Sequence, residues 1–224
     1  MGVVWAQSPS GNRLESVDLM RQADDKAQAL FDNCFEIVSG PDAPDVVIQE
    51  LENELILYLT NDNSLSNNHN EEYVMFDPGI PKFDLDGNQL TSFGSQMFVR
   101  PHGLHIDFEG NVWVTDGEGP DGEDPRRDGK GHQVFKFSPK GNVLMTLGKP
   151  GVAGDGHYEF NQPSSVLVAP DGNIFVGDGH GGASNSRIMK YSASGEFLTS
   201  WGSQGSEPGQ FAVPHDLAMD SAGR

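Results

Sequence analysis

The chain has 224 residues, 36% of them hydrophobic, and carries 14 basic against 33 acidic side chains, for a formal net charge of −19. This charge would repel phosphate backbones and anionic lipid headgroups, and no apolar run is long enough to span a bilayer, so neither nucleic acid nor a membrane is expected as a partner. The 28 glycines and 14 prolines fall at spaced turns, which predicts an all-β fold of many short strands.

The first twelve residues, MGVVWAQSPSGN, are similar to the end of a secretory signal, although they lack a basic segment and a full apolar core. Two interpretations stay open: a periplasmic or secreted protein, and a protein with an ordinary cytoplasmic start. The sequence therefore leaves the cellular compartment undecided.

Residues 14–60 differ from the rest of the chain in their apolar pattern. Apolar side chains recur there at helical spacing on both sides of a glycine- and proline-containing break, which predicts two short helices. The polar stretch NDNSLSNNHNEE, residues 61–72, predicts a linker. We therefore expect residues 1–70 to form a helical leader and a polar linker, and residues 71–224 to form a separate β domain.

Three segments of the β domain align without gaps at a spacing of 54 residues. Each contains an aromatic residue, a turn with glycine, an apolar strand and a closing glycine, which together predict a β-hairpin. The segments are FDLDGNQLTSFG (Phe83 to Gly94), FSPKGNVLMTLG (Phe137 to Gly148) and YSASGEFLTSWG (Tyr191 to Gly202). A second set of hairpins alternates with the first: PHGLHIDFEGNVWVTD from Pro101, PSSVLVAPDGNIFVGD from Pro163 and PHDLAMDSAGR from Pro214.

Two hairpins make a four-stranded unit, and such a unit repeating at about 40 to 50 residues is typical of a β-propeller blade. The predicted fold is therefore mainly β, a partial β-propeller preceded by a short helical segment. We expect only the outer hairpin of a first blade, two full blades (Pro101 to Gly148 and Pro163 to Gly202) and the start of a fourth. Because propellers have about four to eight blades, the chain is expected to be a fragment of a longer ring.

Two histidines occupy equivalent positions in this repeat. His102 and His215 each follow the proline that opens the innermost strand of a blade, and Ser164 stands at that position in the blade between them. In a six-fold ring, alternate blades lie about 120° apart, which is the spacing that a three-histidine metal site requires. Three histidines with an open coordination position suit a catalytic zinc ion. The third histidine is expected from a blade outside this sequence, and imidazoles that only cap the backbone of a turn are the alternative.

His180 is a further candidate, because it directly follows a predicted strand within GDGHGGASNSRI. The glycines around it would let the backbone bring the side chain toward the channel mouth. A functional role and an inert one are both open for His180. We expect His105 to be packed or to support the site, His132 to be structural and His157 to be exposed.

Several motifs occur in the order found in NHL-repeat propellers: RPHGLHID…GNVWVTD…GHQVFKFSPKG, then FNQPSSVLVAPDGNIFVGDGH…NSRI…YSASGEFLTSWG, then PGQFAVPHDLAMDS. Among these propellers the chain most resembles bacterial relatives of peptidyl-α-hydroxyglycine α-amidating lyase, over about Phe83 to Arg224. The resemblance implies a six-bladed propeller whose channel holds a zinc ion bound by three histidines and a structural calcium ion. On the matching motifs, it implies that His102 and His215 bind zinc and that the backbone carbonyl of Leu104 binds calcium.

The chain departs from that family at His180. The family has a tyrosine there, within SDGY…NSR, which is thought to take the hydroxyl proton of the substrate. A histidine could replace it as the base, since its unperturbed pKa of about 6.5 suits neutral pH. The resemblance therefore implies that His180 is the catalytic residue.

The activity implied by the resemblance is metal-assisted cleavage of the hemiaminal C–N bond of a peptidyl hydroxyglycine, which gives an amide and glyoxylate. The expected substrate is a small polar or peptide-derived molecule. The alternative is a non-catalytic propeller that binds a ligand or a protein partner, because a fold by itself does not settle function. A third interpretation is that the chain as given is inactive because its ring does not close.

Overall fold

A computed structural model describes residues 4–5, 46–51, 54–59, 79–84 and 89–220. These residues form three sheets in which strands that follow one another along the chain pair antiparallel, apart from the short first strand. In this part of the chain, no helix is long and apolar enough to cross a membrane. The prediction of a mainly β fold is confirmed, and the three sheets are blades of a β-propeller.

The first sheet has five strands in chain order, of which the two-residue first strand runs parallel to the second. Its strands are β1 (Val4–Trp5), β2 (Val46–Leu51), β3 (Glu54–Leu59), β4 (Ile80–Asp84) and β5 (Gln89–Phe93).

The second and third sheets are four-stranded antiparallel meanders. The strands of the second sheet are β6 (Pro101–Ile106), β7 (Val112–Asp116), β8 (Gln133–Phe137) and β9 (Val143–Leu147). The strands of the third are β10 (Pro163–Val168), β11 (Ile174–Asp178), β12 (Arg187–Tyr191) and β13 (Phe197–Trp201). A single 3₁₀ turn, Pro125–Arg127, lies in the loop between β7 and β8. Strand β6 lies beside both β2 and β10, so the innermost strands of neighbouring blades adjoin one another.

The helix predicted over residues 44–62 is wrong, because β2 and β3 form a hairpin there and β3 pairs with β4. Glutamate, glutamine and leucine in this stretch favour a helix locally, but two six-residue apolar runs fit strands equally well, and the edge of β4 decides between them. The first blade therefore has an inner hairpin as well as the predicted outer one. The pairing of β3 with β4 also joins residues on the two sides of the predicted boundary at residue 70. The other predicted helix and the polar linker lie outside the described residues.

The 54-residue repeat is visible in the register of the strands. In every sheet the last two strands shift register at the aromatic residue that opens the repeated segment: Phe83, Phe137 and Tyr191. A bulge of this kind adds one residue to a strand and increases its local twist. The predicted sequence repeat is therefore a structural repeat.

Side chains of β7 show how the blades are held together. Val112 and Val114 are buried in the cluster that joins the second sheet to the first, whereas Trp113 is buried in the cluster that joins it to the third. This alternation is the two-residue period of a strand with both faces covered. The Trp113 indole N–H donates to Asp107 Oδ2 at 2.9 Å, so its polar atom is satisfied inside the core.

Buried aspartates fix the chain where it enters the innermost strands. The carboxylate of Asp116, at the end of β7, accepts the backbone N–H of Val99 at 3.0 Å and of Arg100 at 2.6 Å. At the equivalent end of β11, Asp178 accepts the N–H of Asn161 at 2.8 Å. Burial raises the pKa of Asp116 to about 7, although these hydrogen bonds act to lower it. The segment that leads into β6, the strand of His102, is thereby held against the end of β7.

Candidate metal centre

The described residues bring three histidines from three separate segments together. His102 lies on β6, His180 in the loop after β11, and His215 in the irregular segment after β13. Their ring centroids lie 4.7 Å apart for His102 and His180, 5.0 Å for His102 and His215, and 5.0 Å for His180 and His215. One ring nitrogen of each lies within 4.8 Å of those of the other two. We call these three residues the histidine cluster.

His102 is held in a defined tautomer. Its Nδ1 lies 2.9 Å from the carbonyl oxygen of Ser164. Because a carbonyl oxygen can only accept, Nδ1 carries the proton and Nε2 keeps its lone pair. Burial lowers the pKa of His102 to about 4, against the raising effect of the Ser164 bond, and His180, His215 and Arg100 lower it further. The imidazole is therefore neutral at pH 7, which is the form that binds a metal.

Ser164 also positions the segment that carries His215. Its hydroxyl lies 2.6 Å from the Pro214 carbonyl oxygen and 3.2 Å from that of Gly177. The next residue, Ser165, donates its hydroxyl to Asp216 Oδ1 at 3.1 Å. Bonds from adjacent residues of β10 therefore reach both neighbours of His215 in the chain.

Two glycines allow the segments to approach this closely. A Cβ at Gly103 would lie 2.5 Å from the Ser164 carbonyl oxygen, and a Cβ at Gly177 would lie 2.7 Å from the Pro214 carbonyl oxygen. Both oxygens belong to the backbone and cannot rotate away as a side chain could. Any larger residue would push β6 or the His215 segment away from β10.

A short glycine-rich loop presents His180. Gly179, Gly181 and Gly182 all have positive φ angles, and the backbone N–H of His180 donates to Ser184 Oγ at 2.9 Å. The Asn185 side chain closes the loop by donating to Asp178 Oδ2 at 2.7 Å. This loop places the His180 ring in the histidine cluster.

The histidine cluster fits a zinc ion. Zinc takes imidazole nitrogens at about 2.0–2.1 Å in tetrahedral sites, and three such ligands leave a position open. His102 and His180 are half-buried and His215 is exposed, so the cluster has an open side. Among the described residues, it is the single group of three or more histidine, cysteine or acidic side chains that could hold a metal.

Leu104 lies on β6 near His102, and its side chain is buried in the core between the first two sheets. Calcium takes about six to eight oxygen ligands, mostly from carboxylates and carbonyls. The described residues show no carboxylate group of the required size around Leu104. The role of the Leu104 carbonyl as a calcium ligand therefore stays a prediction.

The three other histidines that the structure describes lie outside the cluster. His105 packs toward β10 with a hydrogen bond to the Val168 backbone, and His132 is buried with its Nδ1 3.3 Å from the backbone nitrogen of Gln162. His157 is exposed and stacks on Phe197, with ring centroids 3.9 Å apart.

The sequence patterns did not predict that Ser164 positions His102 and the His215 segment. They also did not predict the charged pair beside His102. The signal for Ser164 was its position in the repeat, equivalent to the two histidines of the neighbouring segments. Arg100 lies two residues before His102 and pairs with Glu118 at 3.2 Å, largely shielded from solvent. Nothing in the local pattern around Glu118 predicts that pairing, because it depends on how the long loop after β7 folds back.

Comparisons with known proteins agree with the motif resemblance. No family model matches the chain. A Mus musculus protein named peptidyl-glycine alpha-amidating monooxygenase is 43% identical over 137 residues, which cover 58% of this chain and 12% of that protein. Peptidyl-alpha-hydroxyglycine alpha-amidating lyase 1 of Drosophila melanogaster is 33% identical over 202 residues, 81% of this chain and 33% of the relative.

A third relative, NHL repeat-containing protein 3 of Mus musculus, is 33% identical over 155 residues, 66% of this chain and 41% of its own length. The chain therefore spans less than half the length of each of these three relatives. A particular likeness to bacterial lyases stays a prediction. The chain is similar, over more than half of its own length, to two proteins named as amidating enzymes and to one named as containing NHL repeats.

Proposed function

We propose that this chain is part of a lyase that cleaves the hemiaminal C–N bond of peptidyl α-hydroxyglycines with the help of a zinc ion. The observation that supports this most strongly is the convergence of His102, His180 and His215 from three segments. The relatives add the reaction class, because two of those that match are named as amidating enzymes.

His102 and His215 would hold the zinc ion, each through the nitrogen that keeps its lone pair. When bound, zinc supplies a Lewis acid that lowers the pKa of an alcohol or water oxygen beside it. The Ser164 carbonyl keeps the lone pair of His102 on Nε2, and the Ser164 hydroxyl anchors the backbone at Pro214. These hydrogen bonds from Ser164, which is not itself a ligand, would orient both histidines toward the ion.

The reaction conserves atoms without any added redox partner. The substrate hydroxyl loses its proton, the carbon–oxygen bond becomes the double bond of glyoxylate, and the C–N bond breaks. The amide nitrogen then takes up a proton, so that the products are a peptide amide and glyoxylate. The protein has to bind the hydroxyl, accept its proton and return a proton to the nitrogen.

His180 can fill one of two roles in this scheme. A neutral imidazole has one nitrogen lone pair, which either accepts the substrate proton or binds the metal. If His102 and His215 hold the ion alone, His180 is the base that the family resemblance implies. If all three bind, the base is a solvent species.

The direct test is glyoxylate release from a short N-acyl α-hydroxyglycine by the purified chain supplied with zinc. We expect release above the uncatalysed rate, and loss of that excess in His102→Gln and His215→Gln. His157→Gln, which replaces an exposed histidine outside the cluster, should keep the activity.

Zinc binding without glyoxylate release would contradict the lyase assignment. A chain that binds no zinc, and whose His102→Gln variant changes only in stability, would favour the alternative of a non-catalytic binding propeller.

A further inference from the structure

We propose that His180 is the third protein ligand of the metal and does not act as the base. The inference shares its metal site with the proposed function and names the ligand set. That set is complete within the described residues: His102 from the second blade, His180 from the third, and His215 from the segment that follows the third.

The distances support a common ion. Three atoms no more than 4.8 Å apart share a centre that lies no more than about 2.8 Å from each, against a zinc–nitrogen bond of about 2.0–2.1 Å. Inward movement of each ring by less than about 1 Å would therefore complete the site. The separations between ring centroids are also nearly equal, from 4.7 to 5.0 Å, so His180 is placed no differently from the two expected ligands.

The relative orientation of the rings agrees with convergence. The planes of His102 and His180 meet at 72°, those of His102 and His215 at 76°, and those of His180 and His215 at 46°. Parallel stacking would bury the ring faces against each other, as His157 and Phe197 do at 11°. The tilted rings of the histidine cluster are not stacked in this way, so their faces do not cover one another.

The surroundings of the cluster resemble those of a metal-bound histidine. Such ligands commonly donate their second ring N–H to a backbone carbonyl or a carboxylate, and His102 Nδ1 does so to Ser164. The backbone N–H of His180 is also tied, to Ser184 Oγ, which limits the freedom of the loop. Both constraints lower the conformational entropy that ordering the ligands would cost.

The chemistry of the donor set points to a divalent first-row transition ion. Imidazole suits zinc, copper, nickel and iron, whereas calcium and magnesium prefer oxygen ligands. Three neutral imidazoles leave the full charge of the ion uncompensated by protein. The open position would therefore favour an anionic or readily deprotonated oxygen ligand.

The test compares zinc affinities, measured by competition with a chromophoric chelator, for the full 224-residue chain and its variants. We expect His102→Gln, His180→Gln and His215→Gln each to weaken zinc binding by more than about tenfold, since loss of mere supporting groups typically costs about 10- to 100-fold. His157→Gln should bind zinc like the parent chain.

Unchanged affinity in a folded His180→Gln, with loss in the other two variants, would overturn the inference while leaving zinc at His102 and His215. Affinity that depends on none of the three would overturn it as well. If zinc binds through all three histidines but no glyoxylate is released, the proposed function fails and the ligand set stands.

A measurement on the unsubstituted chain tests the same ligand set even if the variants fail to fold. The sequence has 7 histidines, and their ring nitrogens can be followed by NMR after ¹⁵N-histidine labelling. We expect one equivalent of zinc to shift three imidazole ring systems together. A shift confined to two ring systems would contradict the assignment of His180.

Discussion

The Nδ1 atom of His102 and the carbonyl oxygen of Ser164 lie 2.9 Å apart, across two blades of the propeller. Ser164 occupies the repeat position that holds a histidine in the neighbouring segments. Its backbone carbonyl contacts His102, and its side chain contacts the residue before His215. Its hydroxyl bonds the carbonyl of Pro214, next to His215. Ser164 is therefore a positioning residue for the histidine cluster.

Replacing Ser164 by alanine should loosen the cluster without removing a ligand. The variant loses the hydroxyl whose single proton is donated to the Pro214 carbonyl at 2.6 Å, which should cost about 1–3 kcal/mol of the unfolding free energy because a buried acceptor loses its donor. Zinc affinity should fall by about 10- to 100-fold. Urea unfolding and a chelator competition assay measure the two effects.

The matched control for that variant is Ser138→Ala. The Ser138 hydroxyl accepts a hydrogen bond from the Asn142 N–H in the turn between β8 and β9. This control should leave zinc affinity unchanged. Equal losses of zinc affinity in the two variants would contradict the positioning role of Ser164.

Gly103→Ala should destabilise the contact between the second and third blades. The new Cβ would lie 2.5 Å from the Ser164 carbonyl oxygen, which forces a backbone shift that typically costs about 1–3 kcal/mol. Gly117→Ala is the control, because its Cβ would meet nothing closer than 3.4 Å. Urea unfolding of both variants measures the difference in stability. Similar urea midpoints for the two variants would refute the packing argument.

Arg187 should be important for stability, although it lies outside the histidine cluster. Its Nε donates to the buried Asp178 carboxylate at 2.8 Å, and its terminal nitrogens donate to three carbonyls of residues 155–159. Arg187→Ala should cost about 3–5 kcal/mol because it leaves a buried carboxylate without its cation. Arg126→Ala, which removes an exposed pair with Asp124, should leave the urea midpoint unchanged. A small effect at Arg187 would show that Asp178 is satisfied by its other donors.

The stability of the chain should depend on pH through His105. Burial lowers its pKa to about 4 from 6.5, against the raising effects of the Asp107 charge and the hydrogen bond to Val168. Between these two values the unfolded chain binds a proton that the folded chain does not. The His105 contribution is therefore fully present above pH 6.5 and decreases as the pH falls toward 4, by about 3 kcal/mol in total.

Urea unfolding at several pH values should show a shallower decrease for His105→Gln than for the parent chain. His157→Gln, an exposed histidine, should keep the slope of the parent. Identical slopes in all three proteins would contradict a buried neutral His105.

Short-range patterns in the sequence were enough to predict the repeat, the hairpins of the second and third blades and two members of the histidine cluster, whereas the hairpin predicted from Pro214 forms no strand over its described residues, 214–220. Those patterns recur at fixed spacing, and the bulges at Phe137 and Tyr191 show that the spacing reflects backbone geometry. The stretch that forms β2 and β3 was misassigned as helix, because its local preferences are ambiguous and strand β4 decides them from a distance.

The position of His180 beside the other two histidines was harder to predict than its loop. Sequence spacing places His180 directly after a strand. The distances between the three rings, however, depend on how closely β6 and β10 approach each other, and Gly103 permits that close approach. The family resemblance favoured a catalytic role at that position, because the tyrosine that stands there in the lyases is thought to take the hydroxyl proton of the substrate. The geometry introduces a second role that no single motif indicated.

X-ray absorption spectroscopy at the zinc edge of the chain loaded with one equivalent of zinc tests the central claim most directly. The account predicts a first shell of three imidazole nitrogens and one oxygen ligand at about 2.0–2.1 Å, with the outer-shell scattering typical of imidazole rings. A shell with two or fewer imidazoles, completed by oxygen ligands, would contradict a metal centre built from His102, His180 and His215.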